Sequence, residues 1–282
     1  MSEARRIHEI RQSKATMEGA GVKLKRAFGE DNPKLDPFLL LDDFGSDNPD
    51  DYIAGFPFHP HRGIETITYV LEGEVQHKDS LGNEGIINSG DVQWMTAGSG
   101  IIHEEMPKKS EGFLRGFQLW ANLPASNKMM APRYRDVKKE DIPEVEINGS
   151  KVKIICGELN GTKGPVQDIV TDPEYLDITL NPKSEFIHSI KKGHNAFAYV
   201  IQGEGYFDEE KELSLGKENL IIYENGDKVK ISTDKKEVRF LLVSGKPINE
   251  PVAWYGPIVM NTKDEIRVAF KEYREGNFIK YK

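Results

Sequence analysis

Two stretches of this chain repeat one pattern. GIETITYVLEGE, beginning at Gly63, aligns without a gap on GHNAFAYVIQGE, beginning at Gly193, with Gly, Tyr, Val, Gly and Glu at the same relative positions. A second turn with Gly-Asp follows each block, Gly90-Asp91 in the first half and Gly226-Asp227 in the second. Long-range self-similarity of this kind means one structural unit used twice. Both blocks are runs of Val, Ile, Thr, Tyr and Phe closed by glycine, and similar runs recur throughout: VQWMT, FLRGFQLWANL, SKVKIIC, YLDITLN, NLIIY and EVRFLLVSG. Short β-rich runs between turn residues predict strands arranged as a sandwich or barrel. The chain is therefore expected to be all-β, with two similar β-barrel domains packed together over 1–135 and 136–282. The proline-bearing polar stretch 124–150 is expected to form the connection. One helix is predicted, near 262–275, where Ile266, Ala269 and Phe270 recur at helical spacing and Thr262 with Glu265 makes a capping-box pattern.

Composition narrows the function classes. A net charge of −8 argues against nucleic-acid binding, which needs a basic face to neutralise phosphates. No apolar run approaches the roughly 20 residues that span a bilayer, and the polar N-terminus does not read as a secretory signal. A single cysteine, Cys156, precludes an internal disulfide and suits a reducing compartment, so a cytoplasmic protein is expected. Cys156 lies in the apolar run KVKIICGE and is expected to be buried and inert. There is no G-x-S-x-G elbow, P-loop or dinucleotide fingerprint.

The chain has seven histidines, and two stand together in FPFHPHRG, residues 56–63. Pro60 disfavours the helical conformation at His59, so the segment should be extended, and residues i and i+2 of an extended segment share a face. His59 and His61 thus offer a two-nitrogen bite. About forty residues on, SGIIHEEMP repeats the spacing with His103 and Glu105, after glycines at 98 and 100 that permit a tight turn. Three imidazoles and one carboxylate suit a divalent first-row ion such as Fe, Mn, Ni, Cu or Zn. The second repeat lacks the set. At the offset of the repeat, Ser189 and Lys191 replace the first pair, and alignment of Gly98 on Gly226 puts Ile231 and Thr233 near the second. One metal per chain is expected. His77 is expected to be a turn residue and His194 to be structural or exposed. Arg62 either steers an anionic ligand or pairs with a carboxylate.

The run from Phe56 to Pro107, with LLLDDFG at 39–45, GFQLWANLP at 116–124 and ICGELNGTKGPV at 155–166, resembles the pirin family of the cupin superfamily. The resemblance implies two jelly-roll-like cupin domains with one iron-type metal in the N-terminal domain, expected here to be iron(II). His59, His61, His103 and Glu105 match the family's ligand positions. It also implies one of two functions. Bacterial-type pirins are similar to quercetin 2,3-dioxygenases, which cleave a flavonol with O2 and release CO, so a small aromatic substrate is expected. Eukaryotic pirins resemble nuclear co-regulators that bind transcription factors in a metal- and redox-dependent way. Under the enzyme reading Glu105 is also the general base, and Phe56, Phe58, Trp94 and Gln118 are expected to line the substrate pocket.

Overall fold

The computed structural model describes residues 3–30, 33–109 and 112–281. The chain begins with β1 (Ile7–Gln12), β2 (Lys14–Glu18), β3 (Val22–Phe28), β4 (Phe38–Ser46), β5 (Phe56–His61) and β6 (Ile64–Glu72). It continues through β7 (Glu74–Asp79), β8 (Glu84–Asn88), β9 (Val92–Thr96), β10 (Ile101–Pro107), β11 (Leu114–Asn122) and β12 (Arg133–Val137). The second half holds β13 (Glu144–Ile147), β14 (Ser150–Cys156), β15 (Glu158–Leu159), β16 (Thr162–Lys163), β17 (Glu174–Leu180), β18 (Glu185–Ser189) and β19 (Asn195–Tyr206). Then come β20 (Ser214–Gly216), β21 (Asn219–Tyr223), β22 (Lys228–Ser232), β23 (Val238–Gly245), β24 (Ala253–Tyr255), β25 (Ile258–Met260) and α1 (Lys263–Arg274). The class is all-β, and α1 is the one α-helix among the described residues, short and closed at its start by the expected Thr262–Glu265 capping box. Among those residues, no helix is long and apolar enough to cross a membrane.

The strands divide into two compact units that interleave in sequence. One contains Met1–Ser13, Pro33–Pro37 and Glu140–Pro247; the other contains Lys14–Asn32, Phe38–Lys139 and Ile248–Lys282. A single cut after residue 135 therefore does not describe the chain. β1 hydrogen-bonds to β21, more than 200 residues away, and the C-terminal stretch with α1 belongs with the first-half strands. Neither exchange leaves a local sequence signal, because any apolar-alternating edge strand can pair with any exposed edge.

In the unit built around Phe38–Lys139, one sheet has the order β12-β9-β6-β11-β4-β3-β2 and a second has the order β5-β10-β7-β8. These are open antiparallel paths, with β6 buried on both faces along most of its length. Two glycines join the layers at the site. Gly63 has φ +79° and Gly98 φ +51°, a region that side chains other than glycine rarely adopt. A Cβ on Gly63 would collide with the Val259 carbonyl, and one on Gly98 with that of Met130. The Gly63 amide donates to the Gly98 carbonyl at 2.8 Å, so the end of β5 and the start of β10 are held side by side.

The other unit follows β1-β21-β19-β23-β17-β14-β13, with β18 and β22 paired beside it. Its interior is one continuous apolar cluster that includes Val152, Leu176, Phe186, Val200, Ile231 and Phe240. Cys156 is buried, as expected, and its thiol donates to the Pro173 carbonyl at 3.3 Å.

Candidate metal centre

β5 is extended, as Pro60 predicts, so His59 and His61 share a face. β10 pairs antiparallel with β5 and sets His103 directly opposite His59 and Ile101 opposite His61. Opposed residues lie on one face, and all three imidazoles converge. Their ring centroids are 4.8 Å (His59–His61), 4.4 Å (His59–His103) and 5.0 Å (His61–His103) apart, and one nitrogen from each fits within 4.8 Å of the others.

The protons fit a shared cation. His59 Nδ1 donates to the Pro57 carbonyl at 2.9 Å and His61 Nδ1 to the Pro257 carbonyl at 3.0 Å. Each neutral ring then carries its lone pair on Nε2, and the two Nε2 atoms face each other at 3.0 Å. Two acceptors that close repel unless a cation lies between them. His103 is fully buried and neither of its ring nitrogens has a protein partner, which is costly for a polar group without a ligand. Burial, then the neighbouring imidazoles, hold the pKa of His103 well below the ordinary histidine value, and burial does the same for His61. His59 is lowered for the same reason. Neutral rings are the metal-binding form. A carbonyl on the far nitrogen is the usual outer arrangement that orients a ligating histidine.

Glu105 shares the buried face of β10 with His103, but its carboxylate is engaged beside the three-imidazole cluster. Thr68 Oγ1 donates to Oε1 at 2.7 Å and Gln118 Nε2 donates to Oε2 at 2.8 Å. A cavity of about 550 Å³ opens here, lined by Phe56, His59, His61, Thr68, Glu105, Gln118 and Trp120. That volume is in the range that takes a small organic ligand.

Of the expected pocket residues, Phe56 and Gln118 lie on the cavity wall, whereas Phe58 and Trp94 do not. A register shift between His103 and Glu105 pairs Glu105 with Phe56. This turns Phe56 inward and leaves Phe58 on the outer side, half exposed. Trp94 is paired with Ile67, one place from the Thr68–Gln93 pair, so it projects from the opposite face of the sheet. Trp120, not anticipated, lines the cavity and meets His61 edge-on at 5.0 Å.

His77 corrects the turn reading. It lies in β7 opposite Glu105, is fully buried and stacks on Tyr134 at 5.0 Å, with its ring centroid 5.4 Å from that of His103. Its Nε2 faces Asp79 Oδ2 at 3.3 Å. Nothing around QHKDS announces this, because the contact crosses strands. Arg62 takes the second of its two expected roles. It is buried, ion-paired to Glu272 at 2.7 Å, and donates to the Ser99 carbonyl at 2.6 Å and the Phe278 carbonyl at 2.9 Å. Lys128 escaped the sequence reading altogether. Its buried ammonium donates to Asn122 Oδ1 at 2.7 Å and to the carbonyls of Gly63 at 2.9 Å and Val259 at 3.0 Å. It thereby ties the turn after His61 to β25. His194 is buried, with Nε2 3.7 Å from Asp172, in agreement with a structural role.

Strand register also revises the ligand-free positions of the second unit. With Gly98 set on Gly226, β22 pairs Ile231 with Phe186 and Val229 with His188. Phe186 and His188 thus occupy the places that His59 and His61 take opposite His103 and Ile101, and Ser189 and Lys191 do not. Phe186 and Ile231 are core residues, and His188 is held by Glu174 at 2.8 Å.

Two cupin-type β units, one with a histidine cluster at a cavity and one with a filled interior, define a bicupin. Residues 21–121 match the Pirin family model and residues 175–279 match that of the Pirin C-terminal cupin domain. The chain belongs to the pirin family. A pirin-like protein of Solanum lycopersicum is 44% identical over 94% of this chain and 89% of its own. A Pseudomonas aeruginosa protein provisionally named a quercetin 2,3-dioxygenase is 42% identical over 98% of this chain and 99% of its own. The crystal structure of quercetin 2,3-dioxygenase from Acinetobacter baumannii superposes with a TM-score of 0.89 at 33% identity, covering 98% of this chain and 99% of that one.

Proposed function

We propose that this protein is a metal-dependent dioxygenase that cleaves a flavonol such as quercetin with O2 and releases CO. The observation that carries the reading is three convergent imidazoles, two of them on the cavity wall, beside a buried carboxylate fixed from two sides. The names of the Pseudomonas and Acinetobacter relatives support the same chemistry. His59, His61 and His103 would hold one divalent ion, expected to be iron(II), and Glu105 would complete the set. When bound, the ion supplies positive charge and redox capacity at the point where flavonol and O2 meet.

The chain's own groups do the rest. Thr68 and Gln118 both donate to Glu105, so they hold it as an acceptor facing the cavity. A flavonol whose 3-hydroxyl approaches this carboxylate loses its proton to a Glu105 oxygen, which makes Glu105 the general base. Phe56 and Trp120 give the aromatic rings apolar surface, and the ordered walls fix their orientation before reaction.

The test is CO release from quercetin under air, by protein reconstituted anaerobically with Fe(II), beside His61→Ala. Release that is lost in the variant is the expected result. Wild-type protein that holds one metal and releases no CO would overturn the proposal and favour a metal-dependent co-regulator.

A further inference from the structure

One row of cross-strand neighbours in the seven-stranded sheet differs from the rows beside it. Arg26 on β3 stands opposite Asp42 on β4, Asp42 opposite Gln118 on β11, and Gln118 opposite Thr68 on β6. All four line the cavity. On one side the neighbouring row runs Leu24, Phe44, Gly116, Val70; on the other it carries Leu40 and Trp120. A polar stripe therefore crosses the cavity between apolar strips, from the partners of Glu105 to Arg26. With strands about 4.8 Å apart, three steps span roughly 14 Å, enough for a multi-ring ligand to lie along it.

The metal centre uses the Thr68–Gln118 end of this stripe and leaves the other end free for a different task. There Arg26 grips Asp42 through two parallel bonds, Nε to Oδ1 and Nη2 to Oδ2, both at 2.8 Å, and Nη2 also meets Glu18 Oε1 at 2.9 Å. Asp42 is buried, and the planar fork leaves each of its oxygens a lone pair. Glu18 and Asp42 set two carboxylates against one guanidinium at this end of the cavity, and Glu30 adds a third carboxylate to the lining. Such a wall repels a carboxylated ligand and accepts hydrogen bonds from hydroxyls.

We infer that Asp42, oriented by Arg26, is a specificity-determining residue that accepts a hydrogen bond from a ring hydroxyl of the substrate, remote from its 3-hydroxyl. The cavity then selects neutral polyhydroxylated aromatics over carboxylated ones and over those hydroxylated only at the reacting position. This rests on the flavonol reading and adds the element of substrate choice to it.

The experiment measures anaerobic binding of quercetin and of 3-hydroxyflavone, which keeps the 3-hydroxyl and lacks the others, by quenching of tryptophan fluorescence. Wild-type holoprotein is compared with Asp42→Asn and with Arg26→Gln, which leaves the carboxylate in place but unheld. The expected result is that the quercetin-to-3-hydroxyflavone affinity ratio falls on the order of tenfold in either variant. Should Asp42→Asn fail to fold, Arg26→Gln carries the comparison. A ratio equal to that of wild type in a folded variant overturns the inference and leaves the flavonol reading standing. Wild-type protein that binds neither flavonol removes the flavonol reading and the inference with it.

Discussion

The two cupin units solve the same folding problem with opposite interiors. In the unit containing Phe186 and Ile231, large apolar side chains meet across β18 and β22 and merge into one continuous core. In the unit containing His59 and His103, imidazoles hold those places, and the buried apolar residues form separate clusters, one with Val22, Phe44 and Val75 and another with Ile64, Met95 and Val259. The backbone scheme is shared, including a left-handed glycine at equivalent points of the repeat, Gly73 with φ +89° and Gly203 with φ +73°. A few side chains on paired strands thus decide whether the interior becomes a packed core or a polar cavity. Burial without a partner is costly for imidazole, so the first interior carries a penalty that a ligand to those nitrogens would relieve; the second needs nothing but close packing.

The comparison breaks most sharply at His103. His103→Ala should take bound metal from one per chain to near zero, read by elemental analysis after dialysis, a larger loss than the roughly 10–100-fold that removal of an outer partner costs. Full retention of metal would end the assignment of the centre. The mirror experiment is Phe186→Ala, expected to lower unfolding free energy by about 3–5 kcal/mol while metal content stays the same. A change in metal stoichiometry there would mean the filled unit contributes to the site.

Lys128 provides a pH test confined to the cavity-bearing unit. Burial pulls its pKa down to about 8 from the usual 10.5. Between those values the unfolded chain binds the extra proton and the folded chain does not, so stability should rise as pH increases from about 8 toward 10.5. The gain is a few kcal/mol at most. Denaturant midpoints at pH 8 and pH 10 should show this increase in wild type and a flatter response in Lys128→Met; equal slopes would mean that the lysine is not the source. The smallest effect is expected for His77→Ala. Loss of the ring beside His103 should weaken metal binding on the order of tenfold, measured by competition with a chelator, and unchanged affinity would return His77 to a purely structural role.

The legible part of the centre was the part written within single strands. His59 with His61, and His103 with Glu105, sit two residues apart, and strand alternation alone puts each pair on one face. Which strands then meet is not a local property. His77 reaches His103 only because β7 pairs with β10, and Asp42 joins the cavity only because β4 lies between β3 and β11. The ligand-free positions of the second unit differ from the repeat offset for a related reason. Gly63 lies two positions after His61, but Gly193 lies five positions after His188. A gapless alignment carried outward from the strand therefore crosses a loop of different length and slips, as loops tolerate insertions that paired strands do not.

By itself the sequence determined the all-β class, the two related units, the capped C-terminal helix and the two candidate pairs, His59 with His61 and His103 with Glu105. Each of these follows from periodicity, turn chemistry or repetition within a short stretch of chain. Tertiary structure alone decided the exchange of β1 and the C-terminal stretch between units, the bond from His61 to the Pro257 carbonyl, the turn of Phe58 and Trp94 away from the cavity, and the polar stripe ending at Arg26. These depend on register and pairing between distant segments, where many strand partners would satisfy the same local pattern and only the packed whole selects one.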